Sequence, residues 1–376
     1  MLSRRYWGVL LAGVLIVILG INVRSTVQAD PLLQDVPRLD GMNIYFTEAG
    51  GEASRFDRSD NGLSRFAGLL TQLGASLFTL EWRTGFPTDA DLIVIAGPVN
   101  DLPPDQIARL WAYMNNHGRV LILADAVVGG RSAPLPATGG LFALMWADMG
   151  LRARDDVVVT RGTEPIFETP APEATAEAAD AQVTEAPPAI VGERPILIPR
   201  FSTSAFNTAH PITQTLTGAL EFATARSLEV DASIQGFVVT PLVFTTTDFY
   251  GEADYATYLS AGTFNFDIGR DTTQGALPLA AAYQNDRTSS RIVLIGDRQF
   301  ATNGGGLRTS PPNSAAFVYP DNARFLLNAA TWLLDQPSVE VTFPTPGPTA
   351  TVTITPSPTP TRTPTPEVTP TPTAQS

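Results

Sequence analysis

Between residues 42 and 335 the chain alternates short apolar runs with amphipathic stretches. Met42–Phe46 (MNIYF) reads as a strand. The segment GLSRFAGLLTQLG that follows places Leu63, Phe66, Leu70 and Leu73 at i, i+3, i+7 and i+10, which is one face of a helix. Ser59 is its expected cap and Gly74 its expected stop. Ser76–Leu80 reads as a second strand. DLIVIA (91–96), RVLIL (119–123) and RIVLI (291–295) are nearly continuous apolar runs, the signature of strands buried on both faces. Pro103-Pro104 opens a helix with Ile107, Leu110, Trp111 and Met114 turned inward, and Asn115–Gly118 ends it. Gly140–Met149 reads as a helix, and Val157–Val159 and Ile196–Ile198 as brief strands. Phe237–Phe244 and Ala276–Tyr283 read as antiparallel pieces, and Asn322–Leu334 as a closing amphipathic helix. Strands and helices in alternation, with continuous apolar strands, predict an α/β fold: a mostly parallel, doubly wound sheet covered on both faces.

The flanks break this pattern. Tyr6–Val23 is an 18-residue run, YWGVLLAGVLIVILGINV, with Asn22 as its one polar side chain. As a helix it would rise ~27 Å, close to the hydrocarbon thickness of a bilayer. Arg4 and Arg5 precede it, so the positive-inside rule keeps the N-terminus cytoplasmic and exports the rest. The competing reading is a cleaved signal peptide with Val27-Gln28-Ala29 as its small-residue site. From Phe343 onward proline and threonine dominate, with almost nothing to bury. This predicts a disordered, extended tail that serves as a spacer or an O-glycosylated stalk. Thr163–Arg194 holds seven acidic residues against one arginine and reads as a solvated insertion. The expected organisation is therefore an anchor (1–30), a first α/β part (31–162), an acidic insertion (163–194), a second α/β part (195–336) and a Pro/Thr-rich tail (337–376).

Composition narrows the chemistry. The net charge is −13, against the clustered positive charge that nucleic-acid binding needs. There is no cysteine, and all 24 basic residues are arginine. Disulfides, thiolate metal sites, a cysteine nucleophile, a Schiff-base lysine and a P-loop lysine are thus excluded. The two histidines leave little for a zinc site. His117 falls at a helix C-terminus and His210, before Pro211, in a turn. No G-x-S-x-G elbow is present. Gly304–Gly306 lacks the ending of a phosphate loop. Asp57, Asp60 and Asn61 resemble the start of a calcium loop, but Gly68 stands where the twelfth-position glutamate belongs. No cofactor and no metal are expected.

In doubly wound sheets ligands bind outside the carboxyl ends of the strands. Asn100 follows DLIVIA, Asp125 follows RVLIL, and Asp297 and Asn303 follow RIVLI. These four are the candidate ligand-binding residues, and Asp125 with Asp297 is a candidate acid–base pair. The same residue types also populate turns for backbone reasons.

The succession DNGLSRFAGLLTQLG, DADLIVIAGPVNDLPPDQIARLWAYMNNHGRVLILAD, HPIT, RIVLIGDRQFATNGG and NARFLLNAATWLL is similar to the GldG-like auxiliary component of uncharacterised ABC-type transport systems. The similarity covers most of Met42–Asp335 outside the insertion. It implies a class I glutamine amidotransferase-like domain with a membrane helix. RVLILAD then matches the strand that carries the nucleophile in true amidotransferases, and Ala124-Asp125-Ala126 stands there instead. In that family the membrane helix lies at the C-terminal end, where this chain has its Pro/Thr tail. The expected function is a non-catalytic, membrane-anchored, extracytoplasmic binding or scaffold module. Its expected partners are the membrane and an ABC permease and ATPase or other envelope proteins. The alternatives are a stand-alone ligand- or glycan-binding protein, and a hydrolase using Asp125 or Asp297.

Overall fold

A computed structural model describes residues 38–346 except 49, 84, 99, 127–134, 168–189, 273–274, 341–342 and 345. The expected membrane span, the middle of the acidic insertion and the tail beyond residue 346 lie outside the described residues. Among the described residues no helix is long and apolar enough to cross a membrane.

Fourteen strands are described: β1 (Asn43–Thr47), β2 (Ser76–Leu80), β3 (Leu92–Ala96), β4 (Arg119–Leu123), β5 (Leu151–Ala153), β6 (Val157–Phe167), β7 (Ile190–Ile198), β8 (Arg200–Thr203), β9 (Leu220–Ala223), β10 (Leu228–Val230), β11 (Val238–Phe244), β12 (Tyr250–Glu252), β13 (Pro278–Asn285) and β14 (Ser290–Ile295). The described helices are α1 (Ser64–Gln72), α2 (Pro104–Met114), α3 (Gly140–Met149), α4 (Tyr255–Ala261) and α5 (Pro320–Leu333). Seven strands form the central sheet in the order β11-β13-β14-β4-β3-β1-β2. β2, β1, β3, β4 and β14 run parallel, and β13 and β11 extend the sheet antiparallel, as their sequence pattern predicts.

Alternate residues of each central strand feed opposite faces. Ile44, Phe46, Val94, Leu121, Leu123, Val293 and Ile295 pack under α1 and α5. Ile93, Ile95, Val120, Ile122, Ile292 and Leu294 pack under α2 and α3. This explains why β3 is apolar at every position: all five of its residues are buried. The helix face read from Leu63, Phe66, Leu70 and Leu73 is buried in full. Trp111 is the exception on α2. It is half-buried, and its indole N–H donates to Asp148 Oδ2 at 2.8 Å, because an indole with a polar edge can serve at the rim of the core.

Three sequence expectations need correction. Ser59 does not cap α1; its N–H donates to Asp57 Oδ1 at 2.7 Å within a tight turn, and the helix begins five residues later. The strand expected over Val157–Val159 continues to Phe167 and pairs antiparallel with β7, so both ends of the acidic segment are ordered. Exposed side chains over most of β7 hid this pairing from a reading based on apolar pattern; the base of the hairpin packs Val157, Val159 and Leu197 in a small buried cluster with Tyr250 and Tyr255, and beyond it the backbone ladder holds the two strands. The tail also starts later than expected. Val339 is fully buried, its N–H donating to Asn328 Oδ1 at 2.6 Å, and Phe343 packs edge-on against Phe317 at 5.2 Å between ring centres.

Candidate functional site

The strand order β2-β1-β3-β4-β14 switches sense between β1 and β3. That switch opens a crevice at the carboxyl ends, which is where doubly wound sheets hold their ligands. The loop after β1 crosses this point, with the Ala53 N–H donating to Ala96 O at the end of β3 at 3.0 Å. A cleft of about 690 Å³ lies beside it, lined by Glu48, Glu52, Glu81, Trp82, Arg83, Asn100 and Asp101 among others. Its size is in the range of small-molecule sites.

Glu48 is built into the wall. Its Oε1 accepts from the Arg55 N–H at 2.9 Å and the Ser54 hydroxyl at 3.3 Å, and its Oε2 from the Thr79 hydroxyl at 3.2 Å. Glu52 is different. It is 7% exposed, its Oε2 accepts from the Gly50 N–H at 2.6 Å, and its Oε1 has no partner among the described residues. Trp82 is 4% exposed, and its indole N–H likewise has no described partner. Asp101 accepts from the Leu102 N–H at 2.9 Å, and its carboxylate fills the space above Gly140 at the start of α3.

Of the four sequence candidates, Asn100 alone lines this cleft, where it is exposed. Asp125 and Asp297 stand side by side further along the same edge, since Leu123 pairs with Ile295 in the β4–β14 register. Arg298 reaches Asp125 Oδ2 at 3.3 Å. The arginine stem lies directly over Gly97, whose φ of +63° and lack of a Cβ leave room for it; a Cβ there would sit 2.4 Å from Arg298 Cδ. Burial raises the Asp125 pKa, with Arg298 opposing. Asp297 is 1% exposed and uses both oxygens on backbone: Oδ2 accepts from the Ala223 N–H at 2.6 Å and Oδ1 from the Gln299 N–H at 2.7 Å. Burial pushes its pKa up to about 7, against those N–H donors and with the Asp125 charge adding.

Asn303 serves elsewhere. Its Oδ1 accepts from the Arg65 N–H at 3.0 Å, capping the first turn of α1 from a distant loop. Its Nδ2 donates to Asp57 O at 3.0 Å and Ser59 O at 2.8 Å. It therefore supplies the cap that Ser59 was expected to provide. His210 holds a turn as expected: its Nδ1 accepts from the Ile212 N–H at 3.2 Å, and burial lowers its pKa to about 4. His117 takes a left-handed conformation, φ +62°, just past α2.

Sequence reading missed Arg226, Glu52 and Trp82. Arg226 is fully buried behind the Asp125 edge, with its guanidinium donating to Leu135 O at 2.8 Å and to Asp155 Oδ1 at 2.6 Å. Nothing in its local pattern marks it. Glu48 and Glu52 directly follow β1, and the strand-end rule applied to that loop would have found them.

These features define a doubly wound α/β domain with a polar crevice at its switch point. The chain belongs to the family of ABC-type uncharacterized transport system proteins, whose sequence model matches residues 43–329. No curated protein matches the chain in sequence. Among solved structures, the mmIFT52 N-terminal domain is similar at 11% identity and a TM-score of 0.43, covering 77% of this chain and 96% of that one. A ThuA-like protein from Bacteroides uniformis is similar at 12% identity and a TM-score of 0.36, covering 80% of this chain and 92% of that one. One from Parabacteroides merdae stands at 11% identity and a TM-score of 0.35, covering 81% and 94%.

Proposed function

We propose that this protein is a non-catalytic, membrane-anchored binding or scaffold subunit of an ABC-type transport system, with its α/β domain outside the cytoplasm. The observation that carries the reading is the family match over residues 43–329. The apolar run Tyr6–Val23 behind Arg4 and Arg5 supports the anchor and its orientation. A non-catalytic role is supported at the strand end after β4. By the amidotransferase-like resemblance, Ala124-Asp125-Ala126 matches the position of the nucleophile in true amidotransferases, and Arg298 engages the Asp125 carboxylate.

The test is gentle detergent extraction of native membranes followed by affinity capture of the full chain. Recovery of an ABC permease and its ATPase in comparable amounts is the expected result. Recovery of the chain alone, or only from the soluble exported fraction, would overturn the stable-complex reading. Protease treatment of intact cells reports the side of the membrane: the domain is expected to be cut without lysis.

A further inference from the structure

We propose that the domain binds a small organic carboxylate on an aromatic skeleton, in a cavity of about 510 Å³ beside α1. This cavity shares no described lining residue with the switch-point cleft. It is assembled from α1, the loops that carry Asn303 and Asn313, and the chain at Phe343-Pro344. Charge is the first observation. The chain carries −13, yet the described lining holds Arg58 and Arg65 and no acidic side chain. Arg58 has no hydrogen-bond or ion-pair partner among the described residues, and Arg65 has no ion-pair partner among them. A positive cavity on an acidic protein gathers small anions where the rest of the surface repels them.

Arg65 is set in place for a planar anion. Its Nη1 donates to Leu307 O at 3.1 Å and to Asn303 O, and its Nη2 donates to Asn313 Oδ1 at 3.3 Å. Three of its five N–H groups are thus used, all on neutral acceptors. The Nε–H and one Nη2–H remain. Nε and Nη2 share one edge of the guanidinium, the edge that grips both oxygens of a carboxylate. Burial lowers the Arg65 pKa, with the Asp60 charge opposing, so this cation gains from an anion that bonds to it. The backbone of α1 is not the recognition element, because Asn303 Oδ1 already accepts from the Arg65 N–H at 3.0 Å. The Ser64 hydroxyl accepts from Asn303 Nδ2 at 3.1 Å and keeps its own proton for a further acceptor. The skeleton follows from the remaining walls. Phe317 and Phe343 meet edge-on at 5.2 Å between ring centres, and Leu69 and Ala315 complete the apolar side. An inorganic anion would leave that surface unused, whereas a phenyl ring covers it.

The inference rests on reading the domain as a binding module, and its test is separate from that of the transporter. Purified full chain in non-ionic detergent is titrated by calorimetry with benzoate and with 3-phenylpropionate. Benzamide and 3-phenylpropionamide, their uncharged counterparts, are run in parallel, as are acetate and inorganic phosphate. The expected result is binding of at least one aromatic acid, with its amide at least about tenfold weaker because the charged hydrogen bonds are lost. Acetate and phosphate are expected to bind at least about tenfold more weakly than that acid, because they cover no apolar wall. Arg58→Gln is expected to weaken the acid at least about fivefold and to leave the melting midpoint without ligand in place, since Arg58 is exposed and has no described partner. Arg65→Lys keeps the charge and loses the planar edge, and it is expected to weaken the acid at least about tenfold. The proposal is overturned if neither acid binds, if the amides, acetate or phosphate bind as well as the acids, or if either variant binds like the parent. A chain that co-purifies with its permease and yet binds no aromatic acid would refute this inference alone. Binding of the acid by a chain that captures no permease would refute the other alone.

Discussion

Replacing Asp297 by asparagine is expected to change how stability depends on pH, and the structure sets the size of the change. The Asp297 carboxyl is 1% exposed, and burial moves its pKa from 3.8 to about 7. The folded state therefore holds the proton more tightly than the unfolded chain. Stabilisation from this group is fully present below pH ~4 and is lost as pH rises through about 7. The interval spans about three pH units at ~1.4 kcal/mol each, so roughly 4 kcal/mol is at stake. The asparagine of the variant cannot titrate. Its carboxamide accepts one of the two backbone N–H groups, and its NH2 meets the other, a pH-independent cost of ~1–3 kcal/mol. Asp125, Glu221 and Glu252 are shifted upward as well, so the parent curve alone cannot isolate Asp297. The difference between parent and variant can. The assay is urea denaturation of the full chain, followed by the fluorescence of its five tryptophans, at steps from pH 4 to pH 8. The stability gap is expected to move in favour of the variant by up to ~4 kcal/mol across that range. Parallel curves, with a gap constant within ~1 kcal/mol, would refute the reasoning. They would mean that the Ala223 and Gln299 N–H groups keep Asp297 ionised throughout.

Arg226→Met removes a fully buried guanidinium that donates to Leu135 O and Asp155, and it is expected to cost ~3–5 kcal/mol in urea unfolding; a loss below ~1 kcal/mol would count against a structural role. Asn303→Ala uncaps α1 and frees Asp57 O and Ser59 O, with an expected cost of ~2–3 kcal/mol. Amide exchange at Arg65 should rise with it, and unchanged protection there would contradict the cap. Gly97→Ala sets a Cβ 2.4 Å from Arg298 Cδ at a φ of +63° and is expected to cost ~1–3 kcal/mol. Scanning calorimetry checks it, and an unchanged melting temperature would show that the arginine stem yields freely.

The central sheet was legible because its chemistry is local. DLIVIA, RVLIL and RIVLI are apolar at nearly every position, and burial on both faces is what demands that pattern. The hairpin of β6 and β7 was not, because beyond its buried base at Val157, Val159 and Leu197 it is held by paired backbone and its side chains look solvated. Val339 and Phe343 were read as tail because two apolar residues among prolines and threonines carry no periodic signal. At the site, the strand-end rule named Asp125 and Asp297, and the β4–β14 register, with Leu123 opposite Ile295, sets them at adjacent strand ends. Asn303 lies off the crevice for a reason no sequence shows: its partners, Asp57, Ser59 and Arg65, are 238 to 246 positions away along the chain. The orphaned atoms of Glu52 and Trp82 are properties of packing alone.

The sheet has a direction, and the described chain enters it at one end. Residues Arg38–Met42 enter at the amino ends, where the Leu39 N–H donates to Leu73 O just before β2 begins. The cleft with Glu52 and Trp82 opens at the opposite, carboxyl ends. A five-residue strand separates the two by ~16 Å. The anchor proposed at Tyr6–Val23 would therefore hold the domain from the amino ends of the sheet, the side opposite the cleft.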